Sequence, residues 1–322
     1  MANEKKRWNR QFRQPKGKST TLLLYDAGRF NRLRSSTIRE AMRAKPKLGQ
    51  HFLNDSQAIQ RIASSIGDLA RRTVVEIGPG RGAITGALAD RAAHVLAIEL
   101  DAQLAARLRA EFPPERVTVL EQDVLSFNFD EARAKFAETD EPLLVVGNLP
   151  YSITSPILLK LAANYQALDR AVLMVQREVA DRVVAPPGSR DYGLLSVTVQ
   201  MYGPAERLFT LPPAAFAPPP DVHSTVFRWR FAPRFKELGI EEGGFLRFVR
   251  QCFAQKRKTL ANNLRAAGIP PETVAVALNQ TAVAPQARAE ALSAEKFATL
   301  WRSLETQGAT SHDEAAPDSG SV

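Results

Sequence analysis

Between Leu48 and about Arg230 the chain alternates short apolar runs with segments whose apolar residues recur at helical spacing, and no other feature restricts its fold as strongly. Thr73–Ile77, Val95–Leu100, Val117–Leu120, Leu143–Val146 and Ala171–Val175 are strand-length runs without polar alternation. Such runs read as strands buried on both faces, which requires helices on both sides of the sheet. The segments around Ile84–Leu88, Leu104–Leu108 and Ile157–Leu161 have the spacing to supply them. The pattern predicts an α/β fold with a parallel sheet, whose ligands bind at the carboxyl ends of the strands.

Beyond this region the texture changes. Leu211 to Val222 is rich in proline and turn formers and leads into one more expected strand, Thr225–Phe231. From about Pro233, Phe245, Phe248, Val249, Cys252 and Phe253 recur at helical spacing, followed by Leu260, Leu264 and Ala291–Leu304. This predicts a small helical domain. The expected division is a flexible basic arm (1–45), an α/β domain (46–232), a helical domain (233–306) and an acidic, disordered tail (307–322). A chain of 322 residues has the length for one large unit and one smaller one.

Charge is unevenly placed along this plan. Residues 1–47 carry fourteen Lys or Arg against three acids, and 310–322 carry three acids and no Lys or Arg. The net charge of +9 therefore leaves the intervening stretch nearly neutral. Such an arm suits a phosphate backbone, where counterion release drives affinity; it equally suits a solvated tail. Lys256-Arg257-Lys258, beside the apolar stripe of the helical region, is open to the same pair of readings: an RNA-backbone contact or the charged outer face of a helix. The single cysteine, Cys252, excludes an internal disulfide and a cysteine-based zinc site, and favours a reducing compartment. No apolar run approaches the length of a membrane span, and Met1 opens a polar, charged segment unlike a signal peptide. A soluble cytoplasmic protein is expected.

Val74-Val75-Glu76-Ile77-Gly78-Pro79-Gly80-Arg81-Gly82-Ala83 places glycines where a strand turns into a helix. Glycine permits the tight turn and lets a ligand approach the backbone. About twenty residues on, Glu99 ends the next strand, placed to accept the two hydroxyl hydrogens of a ribose. Gly78-x-Gly80-x-x-Ala83 also fits a nicotinamide dinucleotide loop, so an oxidoreductase is a competing reading at this point. Asp123 follows the strand after that and could receive a hydrogen bond from a cofactor adenine, or simply cap a helix.

Asn148-Leu149-Pro150-Tyr151, directly after the strand Leu143–Val146 and Gly147, is the most specific feature. An adenine N6 is a poor nucleophile because its lone pair is delocalised into the ring. The Asn148 side-chain oxygen and the Leu149 carbonyl are two acceptors that could hold its two hydrogens and direct the lone pair at a methyl group. The following proline biases Leu149 to an extended backbone, and Tyr151 could stack on an extruded base. The chemistry calls for proximity and in-line alignment, with no metal or strong base. Phe216, in Phe216-Ala217-Pro218-Pro219-Pro220, is a second aromatic candidate for the other face of the base, or a core residue beneath its loop.

Together with Lys47-Leu48-Gly49-Gln50-His51-Phe52-Leu53-Asn54-Asp55, these motifs resemble the KsgA-type rRNA adenine dimethyltransferases. The resemblance runs from about Pro46 to Leu304. It implies a Rossmann-like S-adenosylmethionine-dependent methyltransferase fold followed by a small C-terminal helical domain. It further implies dimethylation at N6 of two adjacent adenosines in the 3′-terminal hairpin of 16S rRNA. The expected partner is the pre-30S subunit, met by a monomeric protein with a role in ribosome biogenesis. The implied cofactor contacts fall on His51, Leu53, Gly78, Glu99, Asp123 and Asn148; His51 departs from the family pattern, which usually has Asn there. Catalytic positions are Asn148, Leu149, Tyr151 and Phe216, and Lys256, Arg257 and Lys258 are the RNA-binding candidates. His94 and His223 show no ligand-like grouping. Three rivals compete: a large-subunit rRNA methyltransferase of the Erm antibiotic-resistance type, a nicotinamide-dependent oxidoreductase, and a non-catalytic RNA-binding assembly factor. The Gly-Pro-Gly loop and Leu149 favour the small-subunit enzyme over the first, the second leaves Asn148–Tyr151 unexplained, and the intact tetrapeptide argues against the lost catalysis of the third.

Overall fold

The structure, a computed structural model, describes residues 51–137 and 141–308. The expected basic arm and residues 309–322 of the acidic tail lie outside them. The elements run β1 (Phe52–Leu53), α1 (Ser56–Ser65), β2 (Thr73–Ile77), α2 (Ala83–Ala89), β3 (His94–Glu99), α3 (Ala102–Glu111), β4 (Val117–Glu121) and α4 (Phe129–Phe136). Then follow β5 (Leu143–Asn148), α5 (Thr154–Ala163), β6 (Leu168–Gln176), α6 (Arg177–Val184), α7 (Leu194–Met201), β7 (Ala205–Leu211), β8 (Phe216–Ala217) and β9 (Ser224–Arg230). The last four helices are α8 (Glu242–Cys252), α9 (Leu260–Ala266), α10 (Pro271–Gln280) and α11 (Ala294–Thr306).

The main sheet has seven strands in the order β4-β3-β2-β5-β6-β9-β7. β2 and the first five residues of β5 are buried at every position, as strands covered on both faces must be. β4 to β6 are mutually parallel as expected, but β9 pairs antiparallel with both β6 and β7. The chain winds outward from β2 to β4 and then returns to place β5 on the other side of β2. This reversal is a topological switch point, and it opens a crevice beyond the carboxyl ends of β2 and β5.

Several boundaries differ from the sequence reading. β3 stops at Glu99, leaving Leu100 59% exposed, and β6 runs over nine residues rather than five. β7 has no counterpart in the sequence reading. It is an edge strand whose burial is mixed along AERLFTL, so it lacks the continuous apolar run that marks its neighbours. One hydrophobic cluster extends from Val75 and Val145 in the sheet through Phe245 and Phe248 to Leu304 in α11. The helices after Pro233 thus pack on the sheet's own core.

Candidate active site

Gly78, Gly80 and Gly82 take φ of 67°, 59° and 82° as the chain passes from β2 to α2. A side chain is strained in this left-handed region, and three such positions in five residues make a turn that only glycine follows readily. Phe52 lies over it, with the Arg81 guanidinium 4.2 Å from the centre of the Phe52 ring. Glu99 is buried at the next strand end; one carboxylate oxygen accepts from the Gly80 N–H at 3.0 Å and the other from the Asp101 N–H at 2.9 Å. Each oxygen keeps a lone pair for a further donor. Asp123 Oδ1 accepts from the Leu125 N–H at 2.9 Å and caps a short 3-10 turn, Val124–Ser126. The capping alternative is therefore realised on one oxygen, and among the described residues no donor is assigned to the other.

Glu76 is a further acid at this crevice that the sequence reading did not single out. It is 1% exposed and accepts from the Thr85 hydroxyl at 2.6 Å, joining β2 to α2 beneath the glycine turn. Burial pushes its carboxyl up to about 7, against the pull of the Thr85 hydrogen bond and with a smaller push from Glu99. The signal was a charged residue inside an otherwise apolar strand, VVEI, since an acid is almost never fully buried without a reason.

On the other side of the switch point, β5 ends in Gly147 and Asn148. A Cβ on Gly147 would lie 2.9 Å from the Ile77 carbonyl oxygen, so glycine is what lets β5 approach the end of β2 this closely. Asn148 Nδ2 donates to the His51 carbonyl at 3.1 Å. A carbonyl only accepts, so this contact orients the amide and leaves Oδ1 as its acceptor end. The Leu149 N–H is used by the Met174 carbonyl at 2.9 Å. Among the described residues no donor is assigned to Asn148 Oδ1 or to the Leu149 carbonyl. Tyr151 opens the turn that follows; its hydroxyl shares a 2.8 Å hydrogen bond with Ser224 Oγ. Burial raises the Tyr151 phenol, with the Ser224 bond acting against it.

The structure separates the remaining candidates. Leu53 is buried and pairs with Phe216 across the two-stranded ribbon β1–β8. Phe216 is 3% exposed in the same cluster as Leu53, Leu211 and Ala215. The expectation of a Phe216 ring face open to the base is corrected: the ribbon register turns its side chain into the core, and only Ala217 beside it is exposed. His51 donates through Nδ1–H to the Pro218 carbonyl at 2.8 Å, and its ring stacks on Tyr151 at 5.8 Å between centroids. Lys256, Arg257 and Lys258 are exposed on the turn between α8 and α9, not on a helix face. Among the described residues no helix is long and apolar enough to cross a membrane.

A glycine turn after β2, a buried acid at the next strand end and Asn148 at the end of β5, gathered at one switch point of such a sheet, are the arrangement of a Rossmann-like S-adenosylmethionine-dependent methyltransferase. Residues 41–306 match the ribosomal RNA adenine dimethylase family, and the chain belongs to it; S-adenosylmethionine is its methyl donor. The chain is 57% identical to the ribosomal RNA small subunit methyltransferase A of Acidobacterium capsulatum, over 81% of its own length and 91% of the relative's. It is 46% identical to the protein of the same name in Koribacter versatilis, over 81% and 94%. A dimethyladenosine transferase from Plasmodium falciparum has the same fold (TM-score 0.69, 22% identity, 80% and 99% covered). The 23S rRNA methyltransferase ErmE superposes with a TM-score of 0.59 at 27% identity, covering 79% and 99%.

Proposed function

We propose that the chain dimethylates N6 of two adjacent adenosines in the 3′-terminal hairpin of 16S rRNA, as a cytoplasmic monomer acting on the pre-30S particle during ribosome biogenesis. The observation that carries this reading is the pair of uncommitted acceptors, Asn148 Oδ1 and the Leu149 carbonyl, at the end of β5. Two acceptors match in number the two hydrogens of an exocyclic amine. Holding both draws the N6 lone pair out of conjugation and fixes its direction, which is catalysis by orientation. The glycine turn, Glu99 and Asp123 hold the donor: bare backbone for close approach, Glu99 for ribose hydroxyls and Asp123 for the adenine amine. Leu100, exposed directly after Glu99, offers an apolar face to the adenine. The chemistry supplied by bound S-adenosylmethionine is an electrophilic methyl group with a neutral thioether leaving group. Tyr151 forms the aromatic wall of the base pocket, and Phe216 supports the ribbon beneath it. Lys256, Arg257, Lys258 and the basic arm serve RNA phosphates.

The small-subunit target rests on the two relatives named for it, at 57% and 46% identity. The test is mass spectrometry of rRNA after reaction with S-adenosylmethionine and small subunits from a methylation-deficient strain. Two neighbouring N6,N6-dimethyladenosines near the 16S 3′ end are expected. Transfer to 23S rRNA alone would assign the chain to the ErmE type of activity instead.

A further inference from the structure

Tyr151 is held at both ends by different parts of the chain. Its backbone lies in the turn after β5, where the Pro150 carbonyl accepts from the Ile153 N–H at 3.2 Å and from the Thr154 hydroxyl at 3.0 Å. Its hydroxyl shares the 2.8 Å hydrogen bond with Ser224 Oγ, 73 residues further along the sequence. Ser224 is the first residue of β9, 0% exposed, in register with Gln176 of β6 and Leu211 of β7. In the sheet β6 lies between β5 and β9, so the Tyr151 side chain reaches over the end of β6 from one of its neighbours to the other. We propose that Ser224 is a positioning residue for methyl transfer: its buried hydroxyl tethers the Tyr151 ring across the end of β6 and so fixes the aromatic wall against which the target base stacks. The inference rests on the reading of Asn148–Tyr151 as the base site.

Among the described residues neither hydroxyl has another assigned partner, and a buried hydroxyl left unpaired is costly, so the two hold each other. The serine end of the tether is part of the sheet. Thr225, the next residue, shares a 2.9 Å hydrogen bond with the Thr210 hydroxyl of β7, and the preceding His223 carbonyl accepts from the Arg177 N–H at 2.9 Å. A ring free to turn about its side-chain torsions has to be ordered when the base arrives. A ring already tethered is ordered beforehand, and that entropy is not lost on the way to the aligned complex. Burial raises the Tyr151 phenol, so the hydroxyl keeps its proton at neutral pH and acts as a tether, not as a proton carrier.

The experiment uses the full chain and compares Ser224→Ala, Tyr151→Phe, their double variant and Tyr151→Ala. Each is assayed for single-turnover methyl transfer to unmethylated small subunits, for affinity toward the particle, and for S-adenosylmethionine affinity by calorimetry. Ser224→Ala and Tyr151→Phe should each slow transfer about tenfold, the scale of one hydrogen bond. The double variant should be no slower than the slower single one, because both changes remove the same bond. Affinities for donor and particle should stay within about twofold, which a general loosening of the fold would not allow. Effects that multiply in the double variant would show that Ser224 does not act through the phenol, and would overturn the proposal. A loss of donor affinity in Ser224→Ala as large as its loss of rate would overturn it too. Tyr151→Phe leaves the buried serine in place and tests the tether independently of how Ser224→Ala folds; a normal rate in that variant, with Tyr151→Ala slow, would remove the tether and keep the aromatic wall. A normal rate in Tyr151→Ala would instead sink the underlying reading of the base site.

Discussion

Asn148 divides its amide between partners of opposite character. The Nδ2 end is committed to the His51 carbonyl, and the Oδ1 end is left as an acceptor. Asn148→Ala deletes both ends of the amide, and the loss of Oδ1 is the one expected to act on the reacting amine, so we expect single-turnover methyl transfer to slow by about a hundredfold or more, the scale of losing one preorganised polar contact to the reacting group. The circular dichroism spectrum should be nearly unchanged; near-normal turnover would refute the orienting role. Glu99 sits on the other side of the balance. Its carboxylate ties the Gly80 and Asp101 amides, so Glu99→Ala should weaken S-adenosylmethionine binding by tenfold or more in calorimetry, with a smaller effect on the transfer step at saturating donor. A variant that binds the donor normally would remove Glu99 from the cofactor site.

At the scale of elements, β2 and α2 meet at a buried acid. Burial pushes the Glu76 carboxyl from 4.5 to about 7. Between those values the folded chain holds a proton that the unfolded chain has released, so stability falls as pH rises through the interval. Ionising Glu76 at high pH costs up to about 3 kcal/mol. Glu76→Gln removes the titration, and denaturant midpoints at pH 5 and pH 8 should lie closer together in the variant than in the wild type. An equal pH dependence in the two would show that Glu76 does not carry it. The acid was visible in VVEI only as an exception to a pattern, whereas β7 was invisible because an edge strand needs no apolar run. Phe216 illustrates the opposite error: an aromatic residue in a proline-rich loop looks available, and the register of β1 with β8 is what buries it.

The whole molecule couples the late helices to the sheet through one apolar cluster. Phe248 contributes from α8, 5.2 Å from the Trp301 ring and 6.3 Å from Phe297 in α11. Phe248→Ala should cost about 3–5 kcal/mol and lower a single calorimetric transition. Loss of only a minor early transition would mean that the helices after Pro233 unfold independently of the sheet. Charge acts at the same scale. Replacing Lys256, Arg257 and Lys258 together by Ala should weaken RNA binding across sequences and reduce the slope of log affinity against log salt by about one unit per lost phosphate contact. An unchanged slope would return the triad to a solvated turn.

The α/β class, the glycine turn and the Asn148–Tyr151 tetrapeptide were legible in the chain itself, because apolar periodicity and turn chemistry are local properties written in neighbouring residues. The sequence also placed Glu99 and Asp123 at successive strand ends, by spacing alone. What the tertiary structure decided are relations between residues far apart in the chain. The return of β5 beside β2 creates the crevice. The His51 carbonyl, 97 residues from Asn148, chooses which end of the amide is left as the acceptor. The Pro218 carbonyl, 167 residues from His51, fixes the proton on its ring. Hydrogen-bond direction and burial depend on who the neighbour is, and no local pattern in the sequence names that neighbour.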